Sequence, residues 1–485
     1  MPNMKALILS IFILLIFPRL TVGRAGMIHA VEDPLVVPNN KFGIHIIDEN
    51  DLEDARKLVN STGGDWGYTT IVIREDERDA ARWQNVFDKM REMHLIPIVR
   101  LATIQQVDSW QKPSLENTGD WVRFLNSLNW VIKNRYVIVG NEPNHAKEWG
   151  GAVNPKEYAE YLKKVSEDLK LASPDFFVLP AGLDASAPNS RETMNEEVFI
   201  QRMLEAQPLI FNYIDGWTSH SYPNPGFSGS ELASGKGSLL TFDWELSYLK
   251  SLGIEKKLPV FITETGWVHS MDGEIQKLIS PQSLGSKFKT AFELPWSDQR
   301  IAAITPFILS YKAEPFSPFS WIKKDGGLYD FYYDVQNLPK IKGEPVQINS
   351  GQILTSAITP VLDAGTYFHV LLTLENTGQI IWLPEEISLV AGDGNEIAID
   401  QFMSAEIKPG ERGIGLLRGL APNLPGSYSG RVRLASRGQP ISPEFEFQIK
   451  TGQVLTADEA LVNMFTNIRD SIRAKVGSIW YNLTH

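Results

Sequence analysis

The chain has no cysteine among its 485 residues. That absence excludes disulfides, thiolate metal sites and a cysteine nucleophile, so stability has to come from packing. Positive charge is also in short supply. Lys and Arg total 46 against 58 Asp and Glu, a formal charge of −12 without any long basic run, which argues against a nucleic-acid partner. His145 and Glu148 stand in "HAKEWGG", which is not a two-histidine metal motif, and no other histidine cluster is visible. No metal and no cofactor is expected. No glycine-rich phosphate loop follows the first apolar strand, and this weighs against nucleotide binding. Internal repeats and low-complexity tracts are missing as well. The apolar run "ALILSIFILLIF" at 6–17 falls short of the roughly 20 residues of a membrane span. Preceded by Lys5 and followed by Pro18 and Arg19, it has the form of a secretory signal core, with cleavage positions near Thr21 and Gly23 or at Ala30. Residues 1–30 therefore read as a signal peptide, or as an N-terminal membrane anchor if uncleaved. Either reading places the protein outside the cell or at its surface.

The composition that remains, 43% hydrophobic and 21% charged, is that of a globular chain long enough for more than one domain. Apolar, β-branched runs alternate with segments of helical period. The runs are "KFGIHII", "YTTIVIRED", "LIPIVRLA", "RYVIVGNEP", "DFFVLPAGL", "IDGWTSHSYP", "LPVFITETGW" and "AAITPFILSY". Continuous apolar strands between helices imply a parallel sheet covered on both faces, and eight such units suit a closed (β/α)8 TIM barrel over 35–340. No clear eighth helix follows "GGLYDFYYDVQNLPK", so closure by a short helix or by the following domain is expected. After a turn-rich linker the pattern changes to short alternating strands, which predicts a small all-β, Ig-like sandwich over 346–450. From 456 to 485, Leu461, Phe465, Ile468, Ile472, Val476 and Ile479 recur at helical spacing with charges between them, which predicts an amphipathic helical tail. Packing on one of the two domains is its simpler role, and attachment to a membrane or cell surface, or self-association, is the alternative.

A β/α barrel gathers its chemistry at the C-terminal ends of its strands. Glu142 ends the fourth run and Glu264 the seventh, so the two would face each other across the barrel mouth. Two facing carboxyl groups suit glycosidic bond cleavage. One protonates the departing oxygen while the other acts from the opposite face of the sugar, and a separation of about 5 to 5.5 Å lets the second attack directly.

Three motifs, "GNEPN" after the fourth strand, "SHSYP" after the sixth and "TETGW" after the seventh, together resemble clan A of the retaining glycoside hydrolases. The resemblance covers the barrel. It implies Glu142 as general acid/base, Glu264 as nucleophile, and Asn141 as the partner of the sugar 2-hydroxyl. It further implies that the Tyr222 hydroxyl orients Glu264, with His220 on the same side of strand six. Arg74 in "IVIRED" matches the clan's strand-two arginine and would keep the nucleophile ionised. Where many members have a histidine near the end of strand three, "IPIVRLA" offers Arg100 instead, and His45 on strand one could share that space. Trp321 is taken as the aromatic after strand eight, with Tyr311 nearer the strand end. Trp149 and Trp267 are further candidates for stacking on sugar faces.

The expectation is thus a secreted or surface-anchored retaining glycoside hydrolase. Its substrate would be a β-linked oligo- or polysaccharide cleaved by double displacement, and transglycosylation is a close variant. A noncatalytic glycan-binding or scaffold protein on the same barrel is the alternative from another class; it predicts glycan binding that survives Glu264→Gln.

Overall fold

The computed structural model describes residues 31–270, 278–358 and 361–452, together with positions 461, 464–466, 468 and 469. The apolar N-terminal run and most of the expected C-terminal helix lie outside the described residues. Among the described residues no helix is long and apolar enough to cross a membrane.

Eight strands alternate with eight helices over the first two thirds of the chain. They run β1 (Gly43–Ile46), α1 (Leu52–Val59), β2 (Gly67–Arg74), α2 (Ala80–Glu92), β3 (Leu95–Ala102), α3 (Thr118–Ser127), β4 (Arg135–Val139) and α4 (Pro155–Ala172). The second half follows as β5 (Phe176–Pro180), α5 (Glu196–Ala206), β6 (Trp217–His220), α6 (Thr241–Ser251), β7 (Val260–Glu264), α7 (Pro281–Glu293), β8 (Ile301–Ile304) and α8 (Asp330–Gln336). β1 to β5 pair in sequence order, as do β6 to β8, and every pairing is parallel. Parallel bridges from Phe42 to Ile304 and from Asp184 to His220 join the two arcs. The sheet is thereby closed, and this is an α/β barrel.

Local sequence explains the elements. In α4 the Asn154 side chain accepts from the Glu157 amide, Pro155 takes the first turn where no amide hydrogen is needed, and Tyr158, Leu162, Val165 and Leu169 form the buried stripe. β4 and β5 are buried along nearly their whole length, which explains their unbroken apolar runs. The eighth helix is present but only seven residues long. Phe331, Tyr332 and Val335 bury its inner side, and the Tyr332 hydroxyl donates to the Asp54 carbonyl at 2.7 Å, tying it to α1.

The N-terminal end of the barrel is filled by aromatic rings from strands on opposite sides. Tyr136 lies 4.9 Å from Phe177 and 5.2 Å from Phe261, while Tyr68 lies 6.5 Å from Phe261 between ring centroids. One layer higher, the Thr70 and Thr305 hydroxyls meet at 2.9 Å. The interior is a packed core up to that level, and only the layer above it is available for chemistry.

The C-terminal region is β-rich: β9 (Gly351–Ile358), β10 (Leu362–Asp363), β11 (Tyr367–Asn376), β12 (Ile387–Ala391), β13 (Ala398–Ser404), β14 (Arg412–Leu420), β15 (Gly426–Ser436), β16 (Gln439–Pro440) and β17 (Phe445–Gly452). One sheet has the order β13-β14-β11-β9, and the other β10-β17-β15-β12 with β16 beside β15. Burial alternates along β11, and its inward residues Val370, Leu372 and Leu374 share a core with Val432, Leu434, Phe447 and Ile449 of the other sheet. This region contacts the barrel below β4. Gln379 donates to the Ile132 carbonyl at 2.8 Å, Gln347 to the Val131 carbonyl at 2.9 Å, and the Lys133 amide to the Val346 carbonyl at 2.9 Å.

Candidate active site

β4 ends at Val139, and the chain then turns sharply. Gly140 has φ +90° and Glu142 has φ +32°, in the left-handed region that side chains rarely adopt. Such a backbone costs on the order of 1–3 kcal/mol and persists only when its surroundings hold it. Here the Glu142 amide donates to the Gly182 carbonyl at 3.1 Å, and the His145 amide donates to the Glu142 carbonyl at 2.8 Å. The turn aims the Glu142 carboxyl over the barrel mouth.

Glu264, the last residue of β7, is met from two sides. Arg100 of β3 donates from Nη1 to Oε1 at 2.7 Å, and the Tyr222 hydroxyl donates to Oε2 at 3.1 Å. Burial pushes the Glu264 carboxyl up, but His220 and Arg100, with the Tyr222 hydrogen bond, outweigh it and hold the carboxyl below the usual glutamate range. The same Nη1 of Arg100 donates to Asn141 Oδ1 at 2.6 Å, so one guanidinium aligns the residues on both sides of the mouth.

His220 stands between the carboxylates. Its Nδ1 is 2.9 Å from Glu142 Oε1 and 3.7 Å from Glu264 Oε2. Burial disfavours the imidazolium, yet the two carboxylates raise its pKa overall. Gly182 makes room for the ring: a Cβ there would stand 2.2 Å from His220 Cδ2, so any larger residue would displace the imidazole. Glu142, His220 and Glu264 form the one group, among the described residues, whose donor atoms lie close enough to share a metal ion, within 4.8 Å of one another. Both Glu264 oxygens already accept hydrogen bonds and one faces a guanidinium. The set suits a shared proton better than a divalent cation.

His45 is fully buried and makes no side-chain hydrogen bond, its ring lying edge-on to Phe307 with centroids 5.2 Å apart. Burial first, then Arg100, push its pKa down to about 3, so it is a neutral imidazole at ordinary pH.

Not every candidate reaches the site. Arg74 pairs instead with Asp76 at 2.8 Å and lies 3.7 Å from Glu77, with 38% of its side chain exposed. The register explains this correction: Val72 pairs with Arg100 and Arg74 with Ala102, so Arg74 stands about 6–7 Å too far along the strand. Arg100 takes the place beside Glu264. Trp267 and Trp321 are also turned away. Trp267 packs on Phe288 and pins the loop after β6 by donating to the Gly229 carbonyl at 2.9 Å. Trp321 packs between Phe288 and Phe331, and both indoles are 2% exposed. Trp149 stays near Asn141 but rests edgewise on Tyr158 and Tyr161 with 3% exposure, so it offers a wall and no stacking face.

Two residues escaped the sequence reading. Phe307 follows β8 and donates its amide to the Thr265 carbonyl at 3.0 Å, in an apolar group with Tyr222, Val268, Ile308 and Phe319 beside Glu264. Its position in "TPFILSY" immediately after a strand was the available signal. Glu148, noted above only to dismiss a metal motif, reaches Asn141 Nδ2 at 3.3 Å. Its signal was the crowding of polar and aromatic residues after "GNEPN".

No family model matches the chain, and no curated protein does. Solved structures of similar fold include a GH128 (subgroup II) endo-β-1,3-glucanase from Sorangium cellulosum, with 15% identity over 62% of this chain and 98% of that one, TM-score 0.40. A glucosidase from Croceicoccus marinus is 9% identical over 79% of this chain and 95% of that one, TM-score 0.47. A GH5-4 broad specificity endoglucanase from Clostridium acetobutylicum is 12% identical over 62% and 96%, TM-score 0.41. Likeness at this level transfers no residue role and no activity to this chain.

Proposed function

We propose that this protein is a retaining glycoside hydrolase that cleaves β-linked glycosidic bonds, with Glu264 as nucleophile and Glu142 as acid/base. The observation that carries the reading is the pairing of two carboxyls with oxygens within 4.8 Å, one of them held ionised by Arg100 and Tyr222. Direct displacement needs carboxyl groups about 5–5.5 Å apart, whereas inversion needs about 6.5–9.5 Å to admit a water. Facing oxygens within 4.8 Å of each other favour the shorter of these spacings, and with it attack by the carboxylate itself.

In the first step a Glu264 oxygen bonds to the anomeric carbon as the bond to the leaving oxygen breaks, and the Glu142 proton passes to that oxygen. Neutralising Glu264 as an ester removes the negative charge facing Glu142 and His220. In the second step a water yields its proton to Glu142 and its hydroxide to the anomeric carbon, which frees the Glu264 carboxylate. His220 follows the Glu142 proton through their 2.9 Å contact. The β configuration rests on the motif resemblance. Export or surface attachment through residues 1–30, and an Ig-like spacer role for the β-rich region, complete the proposal.

The test is turnover of a panel of β-linked oligosaccharides and aryl glycosides by the protein and by its Glu264→Gln variant. The reading expects cleavage by the parent, reduced by on the order of 10³-fold or more in the variant. Cleavage that survives the substitution would remove Glu264 as nucleophile. Binding without cleavage in both would favour a noncatalytic glycan-binding barrel.

A further inference from the structure

Strand β6 stands at a seam of the barrel. It forms a ladder with β7, but on its β5 side, among the described residues, it has a single bridge, Asp184 to His220, and one side-chain bond, from the Thr218 hydroxyl to the Pro180 carbonyl at 2.6 Å. This strand nevertheless carries His220 into the mouth and leads to Tyr222, the groups that meet Glu142 and Glu264. What roots it lies on its other face. Trp217 and Ser219 alternate with His220 along the strand and so point outward, toward the helix layer.

There, two glutamates are buried together. Glu196 opens α5 and Glu245 sits in α6, and both are 0% exposed. Glu245 Oε2 accepts from the Trp217 indole at 2.9 Å, and the Ser219 hydroxyl faces the same carboxyl. No donor reaches Glu245 Oε1 or either oxygen of Glu196. The two carboxyls lie within hydrogen-bonding reach of each other. Two carboxylates can only accept, so that contact is a bond only when one of them is an acid. Glu245 has donors of its own, which suits the anion, whereas Glu196 has none, which suits the acid. Burial first, then the charge of Glu245, push the Glu196 carboxyl well above its ordinary value. Among the charged groups around the pair, Lys236 opposes this rise, Asp184 adds to it, and His220 favours charge on Glu245. Each of them already has a partner: Lys236 lies 3.8 Å from Glu197, Asp184 2.8 Å from His145, and His220 2.9 Å from Glu142. The Tyr248 hydroxyl of α6 donates to the Glu197 carbonyl.

We propose that Glu196 and Glu245 share one proton, and that this pair positions β6 so that His220 and Tyr222 meet the carboxyls of Glu142 and Glu264. The positioning role rests on the hydrolase reading, whereas the shared proton does not. With the proton in place Glu196 donates to Glu245, and Glu245 holds the indole that roots the strand. Without it two anions face each other in a dry layer, and Glu245 keeps Trp217 only by driving Glu196 away. The pair acts through the strand and touches no substrate.

The test joins a stability profile to turnover. The unfolded chain releases its glutamate protons in the ordinary range, whereas the folded chain keeps this one to higher pH. Between those limits the folded state binds one proton more, so stability falls as pH rises and the unfolding constant grows by up to tenfold per pH unit. Glu196→Gln gives Glu245 a permanent donor and has no proton to lose. In chemical denaturation between about pH 5.5 and 7.5, the parent's unfolding constant is expected to rise at least tenfold relative to that of Glu196→Gln. Equal slopes overturn the shared proton. Aryl glycoside turnover at neutral pH reads the positioning. Glu196→Gln is expected to keep kcat within about twofold. Glu196→Ala, which removes the donor, and Trp217→Phe, which removes the indole N–H held by Glu245, are each expected to lose about tenfold in kcat with KM within about threefold. Full kcat in either of these two, or a tenfold loss in Glu196→Gln, overturns the positioning role; Trp217→Phe decides should Glu196→Ala fail to fold. A difference in slope without any turnover keeps the shared proton and removes the hydrolase, and the positioning role with it. Turnover with equal slopes keeps the hydrolase and removes the pair.

Discussion

The two ends of the barrel solve opposite problems with the same strands. At the N-terminal end Tyr68, Tyr136, Phe177 and Phe261 fill the interior ring against ring, and the Tyr68 hydroxyl finds Asn39 at 2.8 Å. At the C-terminal end β4 leads into a left-handed glutamate, β3 carries an arginine shared between two partners, and β1 carries a histidine with no side-chain hydrogen bond. Apolar packing is locally favourable at one end, whereas at the other each group is tolerable only because its neighbours hold it. The filled end is what allows the other to stay strained. Local conflict within an otherwise consistent fold is itself a sign of function.

Substitutions at each end should separate these roles. The largest effect on stability is expected from Phe177→Ala, which opens the aromatic plug and should cost about 3–5 kcal/mol in chemical denaturation while leaving KM nearly unchanged. A parallel loss of substrate affinity would show that the two ends are not independent. Arg100→Gln should lower kcat/KM by about 10²-fold, since it removes a fixed donor from Glu264, the proposed nucleophile. Its pH profile is the sharper measure. With the guanidinium gone the Glu264 carboxyl rises, so the acidic limb of kcat/KM should move to higher pH; an unmoved limb would assign that ionisation elsewhere. Trp321→Phe should cost about 1–2 kcal/mol and leave kcat/KM intact, because the indole faces α7 and α8 rather than the mouth. The smallest effect is a slope. His45 has a folded pKa of about 3 against 6.5 unfolded, so between those values the unfolded chain binds the extra proton. Stability should therefore fall by up to about 1.4 kcal/mol per pH unit on acidification through that window, and His45→Gln should flatten the slope.

Much of the barrel was legible because buried parallel strands leave unbroken apolar runs and their helices leave a separate period. Glu142 and Glu264 could be singled out because each follows such a run directly, where a barrel opens its mouth. The choice between Arg74 and Arg100 was not legible in the same way. Both sit near strand ends, but which one reaches Glu264 depends on how β2 and β3 are staggered, a property of pairing rather than of either segment. The tryptophans failed for a related reason. An indole beside a catalytic motif can face the cleft or the helix layer with equal ease, and only the position of Phe288 on α7 reveals that Trp267 and Trp321 turned outward. Glu148 was hidden by its neighbours, since its contact with Asn141 depends on the tight turn after Glu142.

The contacts below β4 carry a mechanical consequence. That strand spans only Arg135 to Val139, with Gln379, Gln347 and Val346 gripping the backbone just before it and Asn141 and Glu142 mounted just after it. It works as a short rod clamped at its foot. Shear between the β-rich region and the barrel would reach the mouth along a lever of five residues, so a region far from the mouth sits where a mount that steadies the tip would be.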